Sequence, residues 1–389
     1  MKARYKSMKH QNGLFPEDIV IPDIVQQNAD KAFALIRKEG EIMSKKKQQK
    51  KITLFKGHAA AVACICLLAA GSLTAFAAIR HFWSRGMQGT VQATPEQQQT
   101  LTDRGVAEVL SEAPDYASLS VTDNNITITP ETVIVDDHFA HISFSVKGFE
   151  PEENMEPIFD LTSAYLGNNP DSEKSHVNAF ASFYDGIISD EQGNLIYDDQ
   201  TPLQFNEKGN LIRRYTDEDG NMEYILSVST SEEQNMLPGK LLHVDLQNLG
   251  TTNQGVISTV AEGNWSFDIT LPSVSSSVPV SLQKPLDGTA FTIESISISP
   301  ISIEIFFSVH GEVTITEDEN GIPLFSGVVL KDGTRLPYNA DMGTLGYTDD
   351  TMTAAYQKRA LIRVIDPSQV AALLFHAEPG SELVEVPIA

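Results

Sequence analysis

The first apolar pattern along the chain is a narrow helical stripe near its start. Its members recur at spacings of three or four residues, the repeat that keeps side chains on one face of a helix. They are Val25, Ala29, Ala32, Phe33 and Ile36. Pro22 and Asp23 suit the first turn of such a helix, and Gly40 suits its end. The pattern predicts a helix over residues 22–39.

A helix of this length is marginal in water unless its apolar stripe packs against something. Two occupants fit the sequence equally well. One is a partner protein that receives the stripe in a groove, with the five apolar residues as its binding surface. The other is a lipid surface, since the lysine-rich run that follows the helix would attract anionic headgroups.

The second pattern is a run of 23 residues without a formal charge, 57–79, between Lys56 and Arg80. A helix of this length measures about 34 Å and spans a bilayer core of about 30 Å. A helix buried in the core of a soluble protein explains the run less well, because the run has no polar face to turn toward water. A cleaved signal peptide, suggested by Ala75 and Ala77, is disfavoured by the long segment in front. The run predicts one transmembrane helix.

The lysines on one side of this run set its orientation. Six lie before it, namely Lys45, Lys46, Lys47, Lys50, Lys51 and Lys56, whereas only Arg80 and Arg85 follow closely. Basic residues favour the cytoplasmic side. We therefore expect a cell-membrane protein with a cytoplasmic N-terminus and an extracytoplasmic C-terminal region. Phe82 and Trp83 are then expected at the bilayer interface.

Beyond the run, the pattern is first helical and then alternates with period two. Thr94, Pro95 and Gln97 form a capping signal for a helix that would run to about Leu110. The alternating stretches that follow are typical of strands with one wet face. They are 126–129, 132–134, 141–146, 265–272, 291–294, 296–309, 325–330 and 359–364, with one or two helical turns expected over 367–375. Asp136 and Asp137 are expected in a turn.

Three polar phrases ending in glycine and asparagine, 190–194, 206–210 and 217–221, predict hairpin turns that need a positive φ. The fold class expected from these signals is an all-β ectodomain of two β-sandwich-like modules on one transmembrane helix, with a short helical cytoplasmic segment. The expected segments are 1–56 cytoplasmic, 57–79 transmembrane, 80–117 tether and short helix, 118–272 first β domain, 273–285 linker and 286–389 second β domain.

Charge separates the two ends of the chain. The formal net charge is −24, yet residues 1–56 carry 13 Lys/Arg against 6 Asp/Glu, a net of +7, which leaves −31 for the rest. Such an acidic chain is not expected to bind nucleic acid. Both cysteines, Cys64 and Cys66, fall within the apolar run, so the β region is expected to fold without disulfides.

No sequence motif for catalysis stands out, so no enzymatic activity and no cofactor are expected. His138 and His141 lie three residues apart beside Asp136 and Asp137, a spacing that would suit a metal site. In a strand, however, residues three apart point to opposite faces, and a third ligand is missing. The 217–221 phrase lacks the glycine and the glutamate of a calcium loop.

The order of these features resembles the anti-sigma-factor-like single-pass membrane proteins of Gram-positive bacteria grouped as domain-of-unknown-function family 4179. The resemblance rests on residues 21–25 (IPDIV) before the lysine run and span, on the strand pair 126–146, and on residues 297–303 (SISPISI) and 364–370 (VIDPSQV). It implies a cytoplasmic sigma factor as partner. Residues 1–56 contain no cysteine, so the resemblance does not extend to zinc-dependent sigma binding.

The expected function is that of a membrane regulator whose outer β region binds a ligand or an envelope protein, while the helix over 22–39 holds a cytoplasmic partner. The alternative is a surface-anchored β module for binding or structure, whose inner segment only sets the orientation. Deletion of residues 1–44 would separate the two, because only the regulator loses a function.

Overall fold

The computed structural model describes residues 83–388 except 114–115, 153–154, 173–174, 231–235, 254–255, 312, 314–320, 349 and 378–380. The helix expected over 22–39 and the span expected over 57–79 lie outside these residues. Within the described part of the chain, no helix is long and apolar enough to cross a membrane. All described residues fall within one compact unit.

Residues 83–271 form the first β region, which begins with two short helices. The helices are α1 (Arg85–Thr90) and α2 (Pro95–Asp103). The strands are β1 (Ala107–Val109), β2 (Val121–Asp123), β3 (Ile126–Val135), β4 (Phe139–Lys147), β5 (Glu156–Leu166), β6 (Asn178–Phe183), β7 (Ile187–Ser189), β8 (Leu195–Tyr197), β9 (Met222–Ser229), β10 (Leu241–Asn253) and β11 (Val256–Thr270).

Two antiparallel sheets enclose the core of the first β region. One has the order β1-β3-β4-β9-β6, with β2 also paired to β3, and the other has the order β11-β10-β5. Phe144 of β4 and Phe267 of β11 meet between the sheets, with ring centroids 5.2 Å apart. The Trp265 indole is fully buried there and donates to the Ile126 carbonyl at 3.1 Å. Alternating side chains of both sheets therefore supply one apolar core.

Residues 278–388 form the second β region, which has a core of its own. Its strands are β12 (Val278–Pro285), β13 (Phe291–Ile298), β14 (Ser302–Val309), β15 (Leu324–Leu330), β16 (Arg335–Leu336), β17 (Ala340–Tyr347), β18 (Ala354–Leu361), β19 (Val370–His376) and β20 (Leu383–Pro387). They form sheets of order β12-β13-β14-β18-β17 and β16-β15-β19-β20. Phe307 and Phe375 face each other across this core, 6.2 Å between ring centroids.

A third apolar cluster joins the two regions, and we call this contact layer the seam. It contains Trp83, Met87, Val91, Ala93, Leu101, Val106, Ala107, Val109, Ile134, Ile301 and Val364. Ile134 belongs to β3, whereas Ile301 and Val364 belong to the second β region. The residues between Trp83 and Val109 are thus the packing layer between the two regions.

The all-β expectation is confirmed, because the described residues form five sheets and only two short α-helices. The predicted turn at Asp136 and the three glycine–asparagine turns are also present. In each of the three, the first side chain accepts backbone N–H bonds two and four residues on, and Gly193, Gly209 and Gly220 take the positive φ. The domain boundaries expected from the sequence stay predictions; residues 273–285 include strand β12.

Two local expectations are wrong, and a third is met only in part. The helix that begins at the Thr94 capping box ends at Asp103 rather than near Leu110, because Gly105 turns the chain at φ +70°. Of the one or two helical turns expected over 367–375, one is present as the 3₁₀ turn Pro367–Gln369, and strand β19 follows it. The residues of β4 expected on a wet face, such as His141 and Ser143, are buried.

Candidate functional site

The described chain begins with a segment built into the protein interior rather than with a tether. Trp83 is only 2% exposed, and Met87 and Val91 are fully buried in the seam. The bilayer-interface position expected for Trp83 is therefore wrong, because the indole packs against protein. Phe82, expected beside it, lies outside the described residues.

Close packing explains the two glycines of α1. Ser84 caps the helix, and its hydroxyl also donates to the Ser143 hydroxyl of β4 at 3.0 Å. A Cβ atom on Gly89 would lie 2.2 Å from the Tyr184 ring, and one on Gly86 would lie 2.8 Å from Glu223 Oε2. Only glycine allows the helix to approach its neighbours this closely.

Polar contacts fix the same helix to the first β region. Arg85 Nε lies 2.7 Å from Asp198 Oδ2, and its guanidinium carbon lies 5.1 Å from the centre of the Tyr184 ring. The Gly86 N–H donates to Glu223 Oε2 at 2.7 Å. Burial raises the pKa of Glu223, and the hydrogen bond from the Gly86 N–H opposes this rise. Helix α1 is therefore held by packing, by an ion pair and by a buried acceptor.

Backbone bonds attach the following residues to the second β region. The Gln92 N–H donates to the Ile362 carbonyl at 2.6 Å, and the Gln92 carbonyl accepts from the Val364 N–H at 2.9 Å. The Gln97 side-chain amide donates to the Val364 carbonyl at 3.0 Å. A displacement of one region relative to the other would therefore strain the segment 83–97.

Two turns meet in the polar half of the seam. Asp136 lies in the turn between β3 and β4 and is fully buried. Its carboxylate accepts from the backbone N–H groups of His138 and Phe139 at 2.9 and 2.7 Å. It also accepts from the hydroxyls of Ser299 and Ser302, which flank the turn between β13 and β14. All these bonds satisfy a buried charge that would otherwise be costly.

A buried ionic cluster lies beside these turns. Glu304 of β14 and Lys358 of β18 are directly opposite in register, with Nζ 3.0 Å from Oε1. The second oxygen of Glu304 lies 3.1 Å from His138 Nε2 of the first β region. Burial acts to raise the pKa of Glu304, but the hydrogen bond from His138 and the charge of Lys358 outweigh it, so this pKa is lowered.

His141, the other member of the predicted histidine pair, has a separate environment. Its Nδ1 atom lies 2.8 Å from the Ser227 hydroxyl of β9, and the side chain is fully buried beneath the seam. Burial lowers its pKa to about 4. The two histidines thus share no ligand. The described part of the chain contains no group of three His, Cys, Asp or Glu residues that could hold a metal ion.

The lowered pKa of His141 predicts a pH-dependent stability. His141 is neutral in the folded state. In the unfolded chain it binds a proton once the pH falls below about 6.5, the usual pKa of histidine. Stability is therefore lost as the pH falls from about 6.5 to about 4, by up to ~3 kcal/mol from this group. His141→Gln should flatten urea-unfolding stability over this range. The exposed His310→Gln should leave the profile unchanged, and an equally steep profile in His141→Gln would contradict the assignment.

A groove runs along the outer edge of the first β region, next to α1. We call it the β6 groove; its volume is about 560 Å³. Phe180 of β6, Ile225 and Ser227 of β9, and Ile188 and Leu195 of the β7–β8 hairpin line it. Gly89 and Thr90 of α1 and Met342 of β17 complete its walls. The groove therefore touches the helix that begins the described chain.

A second cleft, of about 950 Å³, shares Glu156, Arg213 and Tyr215 with the groove. The linings of the two contain five carboxylates, on Glu150, Glu152, Glu156, Asp185 and Asp341, and two guanidinium groups, on Arg213 and Arg214. Arg213 is paired with Asp185, and Arg214 with Asp199 at 2.8 Å. The combined surface of the β6 groove and this cleft is therefore acidic.

The candidate residues for partner binding, Val25, Ala29, Ala32, Phe33 and Ile36, all lie outside the described residues. The structure instead points to the seam and the β6 groove, which sequence reasoning missed. The sequence contains only a weak signal for the groove. Strand β6 (NAFASF) has no charged residue and no proline, whereas exposed edge strands usually contain one or the other.

Comparison with known proteins gives a match to one family model and distant structural neighbours. Among curated proteins, none is significantly similar in sequence. A solved conserved domain protein from Bacillus anthracis shares 12% identity over 69% of this chain and 79% of its own, with a TM-score of 0.39. The CupB6 tip adhesin from Pseudomonas aeruginosa shares 10% over 66% and 89%, with a TM-score of 0.15. Residues 49–148 match the family model described as Domain of unknown function (DUF4179).

Proposed function

We propose that this chain is a single-pass membrane regulator that binds an extracytoplasmic ligand. Residues 57–79 cross the membrane, residues 1–56 hold a cytoplasmic partner such as a sigma factor, and two β-sandwich-like modules outside bind the ligand without transforming it. The uncharged run and the opposite charges of its two flanking regions support this arrangement.

The observation that carries the proposal is the burial of the segment 83–97 in the seam. Trp83 follows the end of the proposed span by only four residues. Trp83 belongs to the cluster that joins the two regions, α1 packs against β4, β7 and β9 of the first region, and the Gln92 backbone bonds to Ile362 and Val364 of the second. A change in how the two regions pack would therefore move the residues next to the membrane, whereas a flexible tether would absorb it.

The family match also supports treating these parts as one unit. It begins in the lysine run at residue 49, includes the whole uncharged run and ends at residue 148, directly after β4. The matched segment therefore contains α1, α2 and the strand β3 that receives the seam. A regulator that transmits a state across the membrane needs this continuity.

The topology is tested by cysteine labelling, because the chain's two cysteines, Cys64 and Cys66, can be replaced by serine. We expect a membrane-impermeant maleimide to label Glu218→Cys, at an exposed hairpin turn, in intact cells. Ser7→Cys should react only after permeabilisation. Labelling of Ser7→Cys in intact cells, or recovery of the chain in the aqueous fraction, would refute the proposal.

The cytoplasmic role is tested on the same full-length chain. Proteins that crosslink to the full-length chain are captured with it and identified. The proteins captured by Ile36→Asp are compared with those captured by Lys38→Asp, a charge change outside the apolar stripe. The stripe predicts that Ile36→Asp loses the partner and Lys38→Asp retains it. Equal capture by both variants would leave the β region as an anchored binding module and remove the regulatory half of the proposal.

A further inference from the structure

Strand β6 has an open edge of unusual composition. It is the last strand of its sheet. Strand β5 of the other sheet approaches its beginning, where Tyr165 forms an isolated bridge with His176, but within the described ranges no strand pairs with residues 178–183 on their outer side. Four of its six residues are exposed, including Phe180 at 45%. Exposed edges are normally protected by lysine, proline or a bulge, because a bare edge recruits another strand. None of these protections is present in β6 (NAFASF).

The register shows which backbone groups are available on this edge. The Tyr184 N–H donates to the Glu223 carbonyl at 2.9 Å, just after β6 pairs with β9. Hydrogen-bonded and non-bonded pairs alternate along an antiparallel ladder. The N–H and C=O groups of Ala179, Ala181 and Phe183 therefore point away from β9. They present the pattern that an added strand requires.

The same edge borders an apolar groove and an acidic surface. Phe180, Ile188 and Leu195 offer apolar contacts to the side chains of an added strand, and Leu195 is 59% exposed. Glu150, Glu152 and Glu156 are exposed along the adjoining cleft. Apolar contacts beside an acidic wall favour a ligand with alternating apolar and basic residues.

We propose that the β6 groove binds an extended basic segment of a partner protein, which adds as a strand to the outer edge of β6. Main-chain bonds to Ala179, Ala181 and Phe183 hold the segment, its apolar side chains enter the groove, and its basic side chains face the glutamates. This mode is β-strand addition. An extended basic segment is thus the class of ligand for the function proposed above. The inference rests on that function only for the side of the membrane on which the ligand binds.

The position of the groove links its occupancy to the seam. Gly89 and Thr90 at the end of α1 line the groove, and α1 packs against β9 on its other side. A bound strand would therefore contact the helix that follows the proposed span. Binding of the segment and packing of α1 are coupled through this shared wall.

The probe is a synthetic peptide of alternating lysine and valine, titrated against the purified full-length chain in detergent. We expect saturable binding that weakens as salt rises, since charge contributes to it. An alternating glutamate–valine peptide should bind at least tenfold more weakly. The lysine–valine peptide with all its amides N-methylated lacks N–H donors on both edges and should lose binding. Equal binding of all three peptides would overturn the proposal.

Two variants locate the site. Ala181→Pro removes an outward N–H that does not bond to β9, so the sheet is kept while strand addition is blocked. Glu156→Lys should weaken binding about fivefold, whereas the exposed Glu382→Lys, outside both linings, should not. Unchanged affinity in both Ala181→Pro and Glu156→Lys would place the peptide elsewhere and refute the proposal.

A second copy of the chain is the other occupant that the edge would accept. Sedimentation of the full-length chain distinguishes it, because a dimer that Ala181→Pro dissociates would mean that β6 pairs with itself and would overturn peptide binding. Loss of peptide binding with correct topology refutes this inference alone. Peptide binding with the reversed topology refutes the membrane function and leaves the groove assignment standing.

Discussion

Replacing Trp83 by alanine is expected to lower the free energy of unfolding by about 3–5 kcal/mol, the usual cost of removing a buried aromatic side chain. The indole is 2% exposed and lies in the cluster that joins both β regions. Its removal would leave a cavity in this cluster. A residue in a tether beside the membrane would cost almost nothing when truncated, so the magnitude separates the two roles.

Urea unfolding of the full-length chain measures this effect. The chain has only two tryptophans, so fluorescence of the Trp83→Ala variant reports Trp265 in the core of the first β region. The control is Phe205→Ala, an aromatic residue 61% exposed, for which a change below about 0.5 kcal/mol is expected. Similar midpoints for wild type and Trp83→Ala would show that the seam contributes little to stability.

The sequence pattern predicts the strands better than it predicts their surroundings. In β4 the residues Ala140, Ile142, Phe144 and Val146 face the core as their alternation indicates. His141, on the opposite face, was expected in water and is buried. Alternation shows which residues share a face, but it cannot show that a polar face is covered by a helix from elsewhere in the chain.

The burial of residues 83–91 has no local sequence signal, for a related reason. Helix α1 has six residues and two glycines, a composition that local propensity disfavours. Gly86 and Gly89 are needed because Glu223 and Tyr184 approach the helix closely. Such contacts join residues more than 90 positions apart, so no local pattern contains them. By contrast, the α2 capping box is local, and its prediction from Thr94 is confirmed.

The candidate site depends even more strongly on such distant contacts. Phe180 and Leu195 come from separate strands of the first β region, and Met342 from the second, so the groove is complete only when the two regions pack. Glu304 lies among apolar neighbours in β14, and its position in the pattern indicates a solvated side chain. Its burial follows from the contact between the β3–β4 and β13–β14 turns, which the sequence does not specify.

Lys358→Met is expected to destabilise the chain by about 3–5 kcal/mol, because it leaves the Glu304 carboxylate in the interior without its cation. Lys358 is 2% exposed and is the register partner of Glu304. Glu304→Leu should cost a similar amount by stranding the ammonium group. Urea unfolding at neutral pH measures both, and Arg335→Met, which removes an exposed partner of Glu385, should cost less than about 1 kcal/mol.

The double variant Glu304→Leu/Lys358→Met decides what the pair contributes. Removing both charges also removes their desolvation cost, so this variant should be more stable than either single one. Costs that simply add would show that the two groups act independently.

The stability of the chain in acid is a second measurement of the pair. The pKa of Glu304 is lowered in the folded state. Its contribution to the free energy of unfolding is therefore present above about pH 4.5 and is lost as the pH falls through the lowered pKa. The double variant has no Glu304 carboxylate to protonate. If the seam is held by charge as well as by packing, its free energy of unfolding should decrease less steeply with falling pH than that of the wild type.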